Sequence, residues 1–191
     1  MKRFLKFLFF SMIVGIFGLS AGCAKEEVRY GVLGKSVGPY WDVVKKGAED
    51  AAKELGVKVM VFMPQKEDIP QQIETVETWI SMGFKGIAVA PSDPEALVKP
   101  INSAMGKGIP VITIDTDSPN SNRICYIGTD NYTAGRVAGE EMAKILKGKG
   151  RVAIATGSLT AMNSLERMRG CLLYTSPSPR DRTRSRMPSS A

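Results

Sequence analysis

Between Val28 and Gly170 the apolar positions alternate between two spacings. Six short runs are dense in Val and Ile and carry little polar alternation: Val28–Leu33, Val57–Phe62, Gly86–Ala90, Pro110–Asp115, Ile124–Gly128 and Arg151–Thr156. Such runs predict strands of a parallel sheet covered on both faces. Between them apolar residues recur every three or four positions. Trp41, Val44, Ala48, Ala51 or Ala52, and Leu55 fall on one helical face, and Ile69, Ile73, Val76 and Ile80 fall on another. A third helix is predicted over Pro94 to Met105, with Leu97, Ile101 and Ala104 inward, and a fourth over Tyr132 to Leu146. Gly56, Gly83, Gly106 or Gly108, and Gly148 stand where a left-handed C-cap ends a helix easily.

Strands alternating with helices of this length predict right-handed βαβ units and an α/β, doubly wound parallel sheet. Ligands of such sheets bind outside the carboxyl ends of the strands. The residues to watch are therefore Gly34 to Trp41, Met63 to Gln65, Pro91 to Asp93, Asp115 to Asp117, Thr129 to Asn131 and Gly157 to Asn163.

Composition narrows the chemistry. The 191 residues hold 26 Lys and Arg, 19 Asp and Glu, three Cys and no His. Without His, catalytic His dyads and triads and His-containing metal sites are excluded. Cys23, Cys125 and Cys171 form no CxxC pair, so neither a zinc ribbon nor a disulfide scaffold is available. Cys125 reads as a small buried apolar group. Three of the seven net positive charges lie in residues 1–22 and three in residues 171–191, leaving one for the middle. A basic excess confined to the two ends is no nucleic-acid footprint.

The ends differ from the middle. Residues 1–22 have a basic start, an apolar run from Phe7 to Leu19 and small residues at the close, the pattern of a signal peptide. Leu19-Ser20-Ala21-Gly22-Cys23 resembles a bacterial lipobox, which implies lipid on Cys23 and membrane anchoring, with residues 24–27 as a tether. A general secretory signal or an uncleaved anchor is the alternative. Beyond Gly170 the periodicity stops. Residues 171–191 read as a tail foreign to the natural protein, because Cys171 to Asp181 back-translates to a run resembling the transposase end and adapter of sequencing libraries. A genuine basic tail is the competing reading.

Nucleotide sites fail on spacing. Gly34-Lys35-Ser36 lacks the Gly that a phosphate loop needs at position 29, which is Arg29. Gly31, Gly34 and Gly38 do not make G-x-G-x-x-G.

Four segments carry a resemblance instead: Gly38-Pro39-Tyr40-Trp41, Gly108 to Asp115, Tyr126 to Asn131, and Glu166 to Gly170. Together, in this order, they resemble the type I periplasmic binding proteins, in particular the ribose-like sugar-binding components of ABC importers. The resemblance implies two lobes closing on a ligand. Residues 28–130 would be the first lobe, Asp130 and Asn131 the first hinge crossing, and residues 131–170 the beginning of a second, incomplete lobe.

A sugar offers apolar C–H faces and a rim of hydroxyls, so its site needs flat aromatics and charged hydrogen-bonding groups. The resemblance implies ligand binding by Tyr40, Trp41, Asp115, Arg167 and Asn163. Asp115 would accept two sugar hydroxyls and Arg167 would donate from the second lobe. Tyr40 stands just after Pro39, ahead of the apolar stripe, but others have plainer alternatives. Trp41 lies on the apolar stripe of its helix, Asp115 can cap a turn through Asp117 and Ser118, and Arg167 can be a solvated face residue. Asp130 and Asn131 also suit helix capping, as Ser92 and Asp93 do before Pro94. Ribose-binding relatives have Asn where this chain has Gly38, and Arg where it has Thr116, which points to another pentose, hexose or polyol. The expectation is thus a monomeric, lipid-anchored binding protein in the periplasm or on the outer face of the cell membrane. Its partners are a sugar or polyol and an ABC permease, with no catalysis, cofactor or metal. A ligand-presenting sensor and an α/β enzyme are the rivals.

Overall fold

The computed structural model describes residues 28–174. The expected signal peptide, Cys23 and tether, and residues 175–191 of the expected foreign tail, lie outside the described residues.

Five strands form the sheet: β1 (Arg29–Leu33), β2 (Lys58–Phe62), β3 (Gly86–Val89), β4 (Val111–Ile114) and β5 (Tyr126–Ile127). All neighbours are parallel, in the order β2-β1-β3-β4-β5. The helices are α1 (Pro39–Leu55), α2 (Ile69–Ser81), α3 (Val98–Gly106), α4 (Asn131–Ile145) and α5 (Met162–Leu172). The chain winds outward from β1 to β2 and then crosses back to β3. That reversal is the switch point of a doubly wound sheet.

One face of the sheet carries the core. Leu33, Ile87, Val89 and Val111 pack against Val76, Trp79 and Ile80 of α2 and Leu97, Ile101 and Ala104 of α3. Trp79 stacks on Phe84 with centroids 5.2 Å apart. The inward stripes read from the sequence are therefore correct for α2 and α3. On α1, Trp41 and Ala52 are buried, whereas Ala51 is exposed and Leu55, the last helical residue, is 72% exposed. Gly56 ends it in a left-handed conformation with φ 65, and Gly83, Gly108 and Gly148 are also left-handed.

Several expectations are corrected. The opposite sheet face is only partly covered, with Tyr30 38% exposed, and on the core face Met60 of the edge strand β2 is 43% exposed. Helix α3 begins at Val98 rather than Pro94, because Asp93 Oδ1 accepts the amides of Glu95 and Ala96 and holds a turn ahead of the helix. Residues 151–156 form no strand and are exposed; among the described residues no strand lies beside them to complete a ladder. Cys125 is exposed, not buried, since it precedes the two-residue edge strand β5. Helix α5 runs through Leu172, two residues past the expected break at Gly170.

Helices α4 and α5 pack on each other at glycines. A Cβ on Gly135 would strike the Arg167 carbonyl, one on Gly170 the Tyr132 carbonyl, and one on Gly139 would meet the Cys171 carbonyl at 2.7 Å. Small residues let the two backbones touch.

Candidate functional site

The carboxyl ends of β1, β3 and β4 open on one side, and a buried side chain ties two of them together. Gln72 of α2, 0% exposed, donates Nε2 to the carbonyls of Gly34 and Ala90, each at 2.9 Å, and accepts the Ser92 amide at 3.0 Å. The loop after β1 is thereby fixed to the loop after β3. It then enters α1 through Gly38 and Pro39, the latter within the first turn where its missing N–H is not needed.

Above these loops lies a crevice of about 400 Å³, lined by Lys35, Ser36, Tyr40, Trp41, Glu67, Asp115, Ser158, Asn163 and Ser164, among others. Such a volume suits a small ligand. Tyr40 and Trp41 meet edge to face, with centroids 5.1 Å apart and planes at 85°. Trp41 is 7% exposed and packs beside Gly34, where a Cβ would approach its ring to 2.8 Å. Its two readings are therefore compatible: the ring is buried and still lines the crevice. Tyr40 stays 58% exposed.

Asp115 is the polar centre. It follows β4 with φ 60, a left-handed conformation uncommon outside glycine. Its Oδ2 lies 3.0 Å from Lys35 Nζ and accepts Thr116 Oγ1 at 3.0 Å and Asn163 Nδ2 at 3.3 Å. Its backbone carbonyl accepts from the Tyr126 hydroxyl at 2.9 Å. Burial raises the Tyr40 hydroxyl above its ordinary value, the Asp115 carboxylate raises it further, and Arg167 pulls the other way. The capping role that the sequence left open for Asp115 falls to Asp117 instead. That carboxylate accepts Thr113 Oγ1 and the Ser118 amide and pairs with Arg123.

Tyr40, Trp41, Asp115 and Asn163 thus share one crevice. Arg167 does not line it; its Nε donates to Asn131 Oδ1 at 2.8 Å, and Asn131 in turn donates to the Thr129 carbonyl at 3.0 Å. Asp130 caps α4, accepting Thr133 N and Oγ1. Its carboxyl is held below the ordinary value, first by the Thr133 amide. Glu166, one residue before Arg167, is pushed up by burial and by Asp130 and Asp117.

Sequence reasoning missed Lys35, Ser36, Glu67, Ser158 and Ser164 as lining residues, and Gln72 as the tie. Lys35 stood in the loop after β1, inside a segment already marked, but a lone lysine carries no pattern. Among the described residues no group of His, Cys, Asp and Glu could hold a metal ion.

A parallel five-stranded sheet, wound both ways from its first strand and bearing this crevice at its carboxyl edge, defines a lobe of the type I periplasmic binding fold. The chain belongs to the family described as periplasmic binding protein domain, whose profile matches residues 30–181. It is similar to the D-allose-binding periplasmic protein of Escherichia coli, 35% identical over 144 residues, covering 71% of this chain and 45% of that protein. Among solved structures it resembles an ABC transporter solute-binding protein of Burkholderia graminis in complex with D-arabinose. There the identity is 38% and the TM-score 0.75, over 78% of this chain and 51% of the other. It also resembles XylFII in an XylFII–LytSN complex, with 40% identity and TM-score 0.74, over 78% and 55% of the two chains. The chain spans about half the length of the relatives it matches.

Proposed function

We propose that the protein is the substrate-binding component of an ABC-type sugar importer, gripping a neutral monosaccharide-like polyol in the crevice of Tyr40, Trp41, Asp115 and Asn163. The observation that carries this reading is the placement of an edge-to-face aromatic pair and a buffered carboxylate on the same rim. Rings take the C–H face of a sugar, and the carboxylate and amide take its hydroxyls. The allose- and arabinose-binding relatives support the ligand class. Arg167 reaches the ligand from α5 when the two sides of the crevice approach, and Asp130 and Asn131 serve at the crossing between lobes. The protein works outside the cytoplasm, held by lipid on Cys23, as a monomer that breaks no bond. A sensor presenting ligand to a receptor stands second, because a relative at 40% identity forms a complex with a second protein.

The chain has two tryptophans, Trp41 at the crevice and Trp79 in the core, so its two indole N–H resonances separate ligand contact from global change. Titration with D-ribose, D-allose, D-arabinose, D-galactose and myo-inositol should move the Trp41 resonance and leave Trp79 in place. If no member of that panel moves Trp41, the sugar reading is wrong.

A further inference from the structure

The crevice holds a charge arrangement that sugar binding alone does not require. Lys35 is 5% exposed, as little as much of the core, yet its ammonium sits 3.0 Å from Asp115 Oδ2. A lysine this deeply dehydrated costs several kcal/mol unless it is paired. The same carboxylate oxygen takes two further donors, from Thr116 and Asn163, which exhausts its lone pairs. A ligand hydroxyl is therefore directed to Oδ1.

Removing the lysine in thought shows what it does. An uncompensated carboxylate beside the rings of Tyr40 and Trp41 is a cation site, since carboxylate and aromatic faces both attract an ammonium group. Lys35 supplies that ammonium from within. Glu67, the other carboxylate lining the crevice, lies exposed and is screened by water.

We infer that Lys35 is the charge-setting and positioning residue of the crevice: by neutralising and orienting Asp115 it makes the site select neutral polyols and reject sugars that carry an amine or a carboxylate. This inference rests on the sugar-binding reading above. Thr116 fits it, because a neutral hydroxyl beside Asp115 leaves Lys35 as the buried cation bonded to that carboxylate.

The test compares D-galactose, D-galactosamine and D-galacturonate, and the matching glucose series, at about pH 6, where the amine is protonated and the acid ionised. Each is titrated against the full chain while the Trp41 indole is followed, with Trp79 reporting that the core is intact. The wild type should favour the neutral sugar of each series over both charged ones. Lys35→Met should shift the preference toward the amino sugar by about tenfold or more, and Asp115→Asn should shift it toward the uronate by a similar factor. Either charge-switched variant suffices if the other fails to fold. A wild type that binds the charged sugars as well as the neutral one overturns the inference, as do folded variants with unchanged ratios. Failure of the whole neutral panel to move Trp41 removes the sugar reading itself, whereas neutral binding with unaltered charge preference removes only the role of Lys35.

Discussion

Gln72 donates its side-chain amide to the carbonyl oxygen of Gly34 at 2.9 Å from a position with no solvent exposure. One side chain thereby satisfies three backbone groups at the ends of β1 and β3, two carbonyls and the Ser92 amide. The crevice loops are thereby bonded to the helix that packs the core.

Gln72→Met keeps the volume and removes every one of these bonds. Each buried group left unpaired costs about 1–3 kcal/mol, so the variant should lose on the order of 3 kcal/mol in urea unfolding. A loss below about 1 kcal/mol would mean that water or a backbone shift replaces the amide.

Affinity in this chain should be low. Hydrogen bonds to charged groups contribute about 1.5–3 kcal/mol when water is excluded, but Tyr40 is 58% exposed and the crevice is open beside it. Neutral sugars should bind with Kd near the millimolar range, about −4 kcal/mol, and show no saturable heat in calorimetry at micromolar sugar. A micromolar Kd would show that residues 28–174 already enclose the ligand.

Gly135→Ala sets two effects against each other. Helix propensity favours Ala by about 1 kcal/mol, while the new methyl group runs into the Arg167 backbone, and overpacking costs about 1–3 kcal/mol. Backbone cannot rotate away as a side chain can, so the clash should win. Hydrogen exchange should speed up in α4 and α5 and stay unchanged in β1 and β3. Slower exchange in α4 would show that the helices part without cost.

Asp117 should govern the acid limb of stability. Burial pulls its carboxyl up, but hydrogen bonds from Arg123, Thr113 and the Ser118 amide outweigh that and hold it below 3.8. A depressed carboxyl stabilises the fold above its unfolded value and loses that contribution as pH falls through the folded one. The urea midpoint should therefore drop as pH falls below about 4, and Asp117→Asn should flatten that drop. Superimposable acid limbs in wild type and variant would contradict the assignment.

Much of this was legible beforehand, and the reasons are local. Valine-rich runs and three-to-four spacing reflect only which faces of a strand or helix meet a core, so β1 to β4, α1, α2 and α4 could be read within a few residues. Arg151–Thr156 has the same apolar texture and is no strand, because a strand also needs a neighbour, which texture does not encode. Cys125 failed for a related reason: the short edge strand leaves its surroundings open. At the site, Tyr40, Trp41, Asp115 and Asn163 were named through the family resemblance; the first three follow β1 and β4, where the winding of the sheet must place its loops, and all four line one crevice. Gln72 and Lys35 were missed because a lone amide on a helix and a lone lysine in a loop look like solvated residues.

The order of strands and helices, and the edge of the sheet on which a ligand would lie, are properties of this sequence alone, since both follow from periodicity and from the handedness of βαβ crossovers. Which groups face one another was decided by tertiary structure. Lys35 and Asp115 follow β1 and β4, far apart in the chain, and only the sheet order, with a single strand, β3, between them, lets the long lysine side chain reach the carboxylate at 3.0 Å. The pair survives because burial makes an unpartnered charge more costly than the constraint of holding two together.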